Sequence, residues 1–247
     1  MFAPDSPLIV VLAAMLGGAI TAVSGFGLGS ILTPLFMVSF PAPLAVGMAA
    51  IPHAVGNLLR GWQLRREIHG RTFRQFGIAS ALGSVVGAIL QPTLGGTALK
   101  LVLAILLVLA GTSELLRRGI SLPATPFWRL AGGALSGLSG GLVGNQGGIR
   151  SAVLLGFQLP PPALVATATA SALCVDLARL PVYLVHSGPA LAAHAPLWLA
   201  ATAGSLLGTL IGVPVLGRIP RPRYRRIVGG LLVLLGLSLA INAARAH

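Results

Sequence analysis

The sequence predicts an all-α, polytopic membrane protein made of two inverted repeats, and three observations carry that prediction. Hydrophobic residues make up 55% of the 247-residue chain and charged residues only 9%, a balance no water-soluble domain shows. Apolar runs long enough to cross a bilayer as helices recur along almost its whole length. The two halves also share prolines, glycines and polar residues at a fixed spacing. Strands are excluded, because the runs lack alternation and far exceed roughly ten residues.

The first run, "PLIVVLAAMLGGAITAV" (7–23), can span a hydrocarbon core of about 30 Å. Only Asp5 is charged before it, so a retained helix is expected rather than a cleavable signal. The glycine cluster "GFGLG" (25–29) then opens a short apolar segment, 30–40, of about 11 residues or 16 Å of helix. That is a half-helix. Three more long runs follow in this half, one with His53 and Asn57, one with "GSVVGAIL" (83–90), and "LKLVLAILLVLAGTSELL" (99–116). The second half repeats the order: a glycine-rich helix around Gly133, Gly137 and Gly141, a break through "GGLVGNQGG" (140–148), a half-helix over 149–159, and three long runs ending with "IVGGLLVLLGLSLAINAA" (227–244). The expected division is 1–122 and 123–247, two repeats within one integral membrane domain. Each repeat has four long transmembrane helices and one half-helix.

Placing Gly25 on Gly144 aligns the halves at an offset of 119 residues, which brings Gly29 onto Gly148, Pro41 onto Pro160, Pro43 onto Pro162, Asn57 onto Asp176 and Arg60 onto Arg179. At slightly larger offsets, 83–90 falls on "GSLLGTLI" (204–211) and 100–111 on 226–237. The loops then orient the copies. Segment 60–74 has five arginines and its counterpart 186–194 none, whereas 91–98 has no Lys or Arg and its counterpart 218–226 has five arginines. Short basic loops stay in the cytoplasm. Corresponding loops therefore lie on opposite faces, with both termini outside and 114–129, including Arg117, Arg118 and Arg129, inside. The net charge of +13 sits in these loops, so membrane anchoring is expected and nucleic acid is not. The single Cys174 allows no internal disulfide framework, and no cofactor or metal is expected.

Two symmetry-related breaks point to a central site, since irregular backbone within a membrane needs protein or a water-filled cavity around it. The start of each half-helix offers N–H groups and the positive end of a dipole, which suit an anion. Candidate binding residues are therefore Ser24, Gly25, Phe26, Gly27 and Gly29 at the first break, and Gly144, Asn145, Gln146, Gly147, Gly148, Arg150 and Ser151 at the second. Arg150 brings a planar fork of donors suited to an oxyanion, and its repeat partner is the apolar Ile31. Snorkelling to an interface is the other reading of Arg150. His53, Asn57, Asp176 and Arg179 are candidates for gating or proton coupling. A structural Asp176–Arg179 pair on one helix face stays open beside that reading. Thr21, Thr33 and Ser139 either line the site or bond to their own helix.

The paired motifs "GGAITAVSGFGLGSILTPLF" (17–36) and "GGALSGLSGGLVGNQGGIRSAVLLGF" (132–157) resemble the sulfite exporter TauE/SafE family. The resemblance covers essentially the whole chain. It implies a multi-pass transporter of the cytoplasmic membrane that moves small anions such as sulfite or organosulfonates. The expected partners are that anion and the bilayer, with a homo-oligomer left open. An anion channel of the same fold remains an alternative. A rhomboid-like serine protease is a more distant one, because "GLSGGLVG" (137–144) fits its motif with Ser139 as nucleophile. His186 and His194, the nearest candidate bases, are expected in an outer loop.

The orientation has a direct test. In a background where Cys174 is replaced by alanine, cysteines at positions 69 and 221 should be shielded from an impermeant thiol reagent in intact cells, and one at position 188 should react. Labelling of 69 and 188 from the same side would overturn the inversion.

Overall fold

The computed structural model describes residues 6–116, 121–123, 125–216 and 220–245, with the side chains of 213–216 and 221 outside that description. Asp5, Arg117, Arg118 and Arg218 of the sequence reading therefore lie outside the described residues, as does the side chain of Arg221. Ten helical elements follow one another: α1 (Pro7–Ser24), α2 (Leu28–Ser39), α3 (Ala42–Gln63), α4 (Gly70–Thr93), α5 (Gly96–Leu115), α6 (Pro126–Val143), α7 (Gly147–Leu155), α8 (Pro161–Ala193), α9 (Ala195–Leu216) and α10 (Arg221–Ala244). No strand occurs among the described residues. The chain is an all-helical, multi-pass membrane protein.

Local chemistry sets the boundaries, and it sets them alike in both halves. Helices α1 and α6 are both 18 residues long, both begin with a proline in the first turn, and both stop at a glycine in the left-handed region. Gly25 (φ +79°) and Gly144 (φ +71°) each donate an N–H back four residues, to Thr21 and Gly140, at 2.9 Å. Only glycine takes that conformation at no steric cost. Pro41 and Pro160 precede α3 and α8 as matched N-caps. The half-helices expected at 30–40 and 149–159 are present as the 12-residue α2 and the 9-residue α7.

Packing also exchanges under a shift of five elements. Helix α1 lies along α9 as α6 lies along α4; α3 meets α9 as α8 meets α4; α1 meets α2 as α6 meets α7; and α3·α8 and α5·α10 pair the equivalents themselves. The α4·α6 seam is made by glycine. A Cβ on Gly137 would fall 1.8 Å from the Ser80 carbonyl oxygen, and one on Gly83 would fall 2.2 Å from that of Ala134. The α1·α9 seam is as close, with Gly208 against Met15 O at 2.0 Å and Gly18 against Ser205 O at 2.3 Å. Without a hydrophobic drive between helices in lipid, such backbone approach is what holds a bundle together. The outward faces carry exposed Leu82, Val86, Ile105, Leu210 and Leu234, a surface that only acyl chains cover comfortably.

Of the eight long helices, seven are apolar enough to cross a membrane by length and composition among the described residues, and α6, as long as α1, carries Arg129, Ser136, Ser139 and glycines that lower its hydropathy. Two expectations need correction. Segment 186–193 is not a loop: α8 runs unbroken for 33 residues through Pro181 and Pro189, so His186 is helical and His194 caps the end. Arg60 is not a loop residue either, since it lies inside α3 and is 3% exposed.

Because the seams leave no room for a side chain, Gly137→Val should destabilise the protein by about 1–3 kcal/mol or more, in the range of overpacking. Gly230→Ala, where an added Cβ meets nothing within 4 Å, should leave the melting temperature unchanged. Thermal unfolding in detergent reads the difference.

Candidate anion site

The two breaks touch. A Cβ on Gly29 would lie 2.5 Å from the carbonyl oxygen of Gly144, and one on Gly147 would lie 2.6 Å from Cβ of Phe26, so each break is close-packed against the other. A helix that ends inside a bundle leaves its last carbonyls without partners. Here side chains from other helices supply them: Arg179 Nη1 donates to Gly140 O, the Tyr183 hydroxyl to Gly141 O, and Gln91 Nε2 to Leu142 O at 2.9 Å. At the first break, Arg150 Nη2 reaches across to Gly25 O at 2.7 Å. Thr21 Oγ1 accepts from the Leu28 N–H at 2.7 Å and Ser24 Oγ donates to Phe26 O at 2.6 Å, so both serve the backbone of the break.

Helices α3 and α8 bring a buried ionic cluster up to the breaks. His53, Asn57 and Arg60 share one face of α3 at helical spacing, and Asp176, Arg179 and Tyr183 share one face of α8. Asp176 is fully buried and both of its oxygens are engaged. Oδ1 accepts from Arg179 Nη2 at 2.7 Å, while Oδ2 accepts from Asn57 Nδ2 at 2.8 Å and lies 2.7 Å from His53 Nδ1. The residues matched across the repeat, Asn57 and Asp176, are thus in direct contact. Their neighbours mirror them: Arg60 donates to Asn57 Oδ1 as Arg179 donates to Asp176 Oδ1.

The mirror is incomplete, and the difference is chemical. Arg179 donates to a carboxylate and a backbone carbonyl and leaves only Nε unpartnered, whereas Arg60 has only the neutral Asn57 amide, with Nε and Nη1 left unpartnered. Arg150 also keeps Nε and Nη1 unpartnered while 98% removed from solvent, which excludes snorkelling. Arg60 and Arg150 lie within electrostatic reach of each other. Buried amide groups four and five residues before Arg150 are also unpartnered, Asn145 Nδ2 and both polar atoms of Gln146. Free donors on buried cations and amides are the chemistry that suits an oxyanion.

A cavity of about 590 Å³ leads to this centre. Ser24, Gly25 and Phe26 of the first break and Gly148 and Ser151 of α7 line it, with Leu106 and Ala110 of α5 on the opposite wall. Glu114 and Arg225, paired at 2.8 Å, also line it, at the ends of α5 and α10 that adjoin 114–129 and 218–226. Gly27, Gly29, Gly144, Asn145, Gln146, Gly147 and Arg150 are buried and do not line the cavity, and neither do the buried His53, Asn57, Asp176 and Arg179. Ser139 donates to Ser136 O at 2.9 Å, while His186 and His194 bond carbonyls of their own helix, which gives no nucleophile–base pair.

Comparison with known families then decides the class. The family described as "Sulfite exporter TauE/SafE" matches residues 10–239, nearly the whole chain. The chain belongs to the sulfite exporter TauE/SafE family. No curated protein and no solved structure matches it. The TauE/SafE family is a family of transporters. Arg60 is the residue of the candidate site that the sequence reading left out. Its signal was there, in the 53, 57, 60 spacing and in the match to Arg179.

Since Asp176 is the partner that Arg179 depends on, Asp176→Asn should cost about 3–5 kcal/mol of stability, the scale for stranding a buried charge. Adding Arg179→Gln should restore part of that loss. Melting temperatures of the single and double variants test it, and an unchanged single variant would remove Asp176 from any structural role.

Proposed function

We propose that this chain is a secondary carrier that exports a small oxyanion across the cytoplasmic membrane by alternating access between two inverted halves. One observation carries the reading: Arg60 and Arg150, both buried beside the touching breaks, present N–H groups with no protein partner. Glycine at the breaks lets backbone approach the ligand, and Gln146 and Asn145 donate to the remaining oxygens.

The exchange of helix contacts between α1–α5 and α6–α10 supports an inverted duplication, and the arginine-rich segments support the orientation. The cavity adjoins those basic segments, so the conformation corresponds to one open to the cytoplasm. A centre whose His53, Asn57, Arg150 and Asp176 are all buried suits a carrier better than an open channel. Export needs no coupling ion, because an inside-negative potential favours anion efflux by about 2.3 kcal/mol per charge per 100 mV.

Replacing Arg150 by Lys keeps the charge and loses the fork, so affinity for sulfite, sulfate or thiosulfate should fall by about 1–3 kcal/mol. Arg150→Gln should weaken binding further, with the protein still inserted and folded, as the matched Ile31 indicates that the scaffold needs no charge there. Calorimetry on purified protein measures this, and unaltered affinity in Arg150→Gln would sink the anion-site reading.

A further inference from the structure

We propose that the site selects a divalent oxyanion over a monovalent one of the same shape, an inference that rests on the anion-site reading above. Three guanidinium groups, those of Arg60, Arg150 and Arg179, are buried at the centre against a single carboxylate, Asp176. With His53 neutral, two positive charges have no counter-charge among the described residues. The single charge of Asp176 offsets only one of the three, and its hydrogen bonds go to Arg179, His53 and Asn57 rather than to Arg60 or Arg150. Arg179 also donates to Gly140 O.

The uncompensated charges therefore belong to Arg60 and Arg150. Each owes its freedom to one sequence difference between the repeats. Where Arg179 has Asp176 three residues before it, Arg60 has the amide Asn57; where the second half has Arg150, the first has Ile31. Two like charges held near each other away from water are costly, and a ligand with two negative charges relieves both while a monovalent ligand leaves one. The spare donors agree in number: Arg60 and Arg150 each keep Nε and Nη1 without a protein partner, and Gln146 Nε2 and Asn145 Nδ2 have none either.

The test compares anions that share a sulfonyl head and differ in charge. Binding of sulfate and of sulfite, both divalent at pH 8.5, is measured by calorimetry against monovalent methanesulfonate on the purified full-length protein at constant ionic strength. The divalent ions should bind at least about tenfold more tightly. In Arg60→Gln, which removes one of the two uncompensated cations, that ratio should fall to near one. Arg60→Met should lower it likewise, and the two variants guard against either failing to fold. Methanesulfonate binding as tightly as sulfate and sulfite in the unaltered protein would overturn the selectivity and leave the anion site standing. An undiminished ratio in a folded Arg60→Gln would overturn the charge count. Binding of none of the three anions would overturn the anion-site reading itself.

Discussion

A carboxylate with no access to water is tolerated only if its charge and its lone pairs are all met, and Asp176 is the group that this structure is organised to satisfy. Meeting it takes His53 and Asn57 from α3 and Arg179 from α8, and the same Arg179 reaches on to the end of α6 at Gly140. Three helices from both halves are thereby fixed around one atom group. The ends of α6 and α1 can then stop inside the bundle, because Arg179, Tyr183, Gln91 and Arg150 take over the carbonyls that a helix ending normally leaves bare.

Glycine solves the complementary problem. Polar clusters fix the centre, but the long helices around it have only lipid on their outer faces and gain little from apolar contact with each other. Backbone-to-backbone approach at Gly83, Gly137, Gly18 and Gly208 supplies the packing instead, in two equivalent seams. The seams leave α2 and α7 between them as short helices whose first turns face the opposite break. So the glycines that close the seams and the glycines that open the breaks do different physical work, although composition counts them alike.

Much of this was legible in the sequence because matched residues in the two halves take matched places in the fold. The matched Gly25 and Gly144 became matched left-handed caps, the matched Pro41 and Pro160 became matched N-caps, and the pair Asn57 and Asp176 turned out to meet at 2.8 Å. Arg60 escaped because it opens a run of arginines that reads as a cytoplasmic loop, and charge counting has no way to separate its first member from the rest. His186 was assigned to a loop because Pro181, Gly188 and Pro189 look like punctuation, yet neighbouring helices let α8 run through them. The contact of His53 with Asp176 depends on how α3 crosses α8, which no single segment encodes.

The departures from symmetry are as informative as the symmetry. A perfect repeat would place either two acids or two amides at 57 and 176, and so would leave the arginines at 60 and 179 either both neutralised or both bare. With one of each, Arg179 is held by a carboxylate and Arg60 keeps unpartnered donors. Arg150, where the other half has Ile31, is a second buried arginine with unpartnered donors. On the proposed reading, with a divalent anion as cargo, the membrane potential supplies about 4.6 kcal/mol per 100 mV toward the outside, enough for a gradient of roughly three orders of magnitude without any coupled proton. That reading asks no transport step of Asp176 and His53, and their closed set of hydrogen bonds suits groups that hold the surrounding helices in shape.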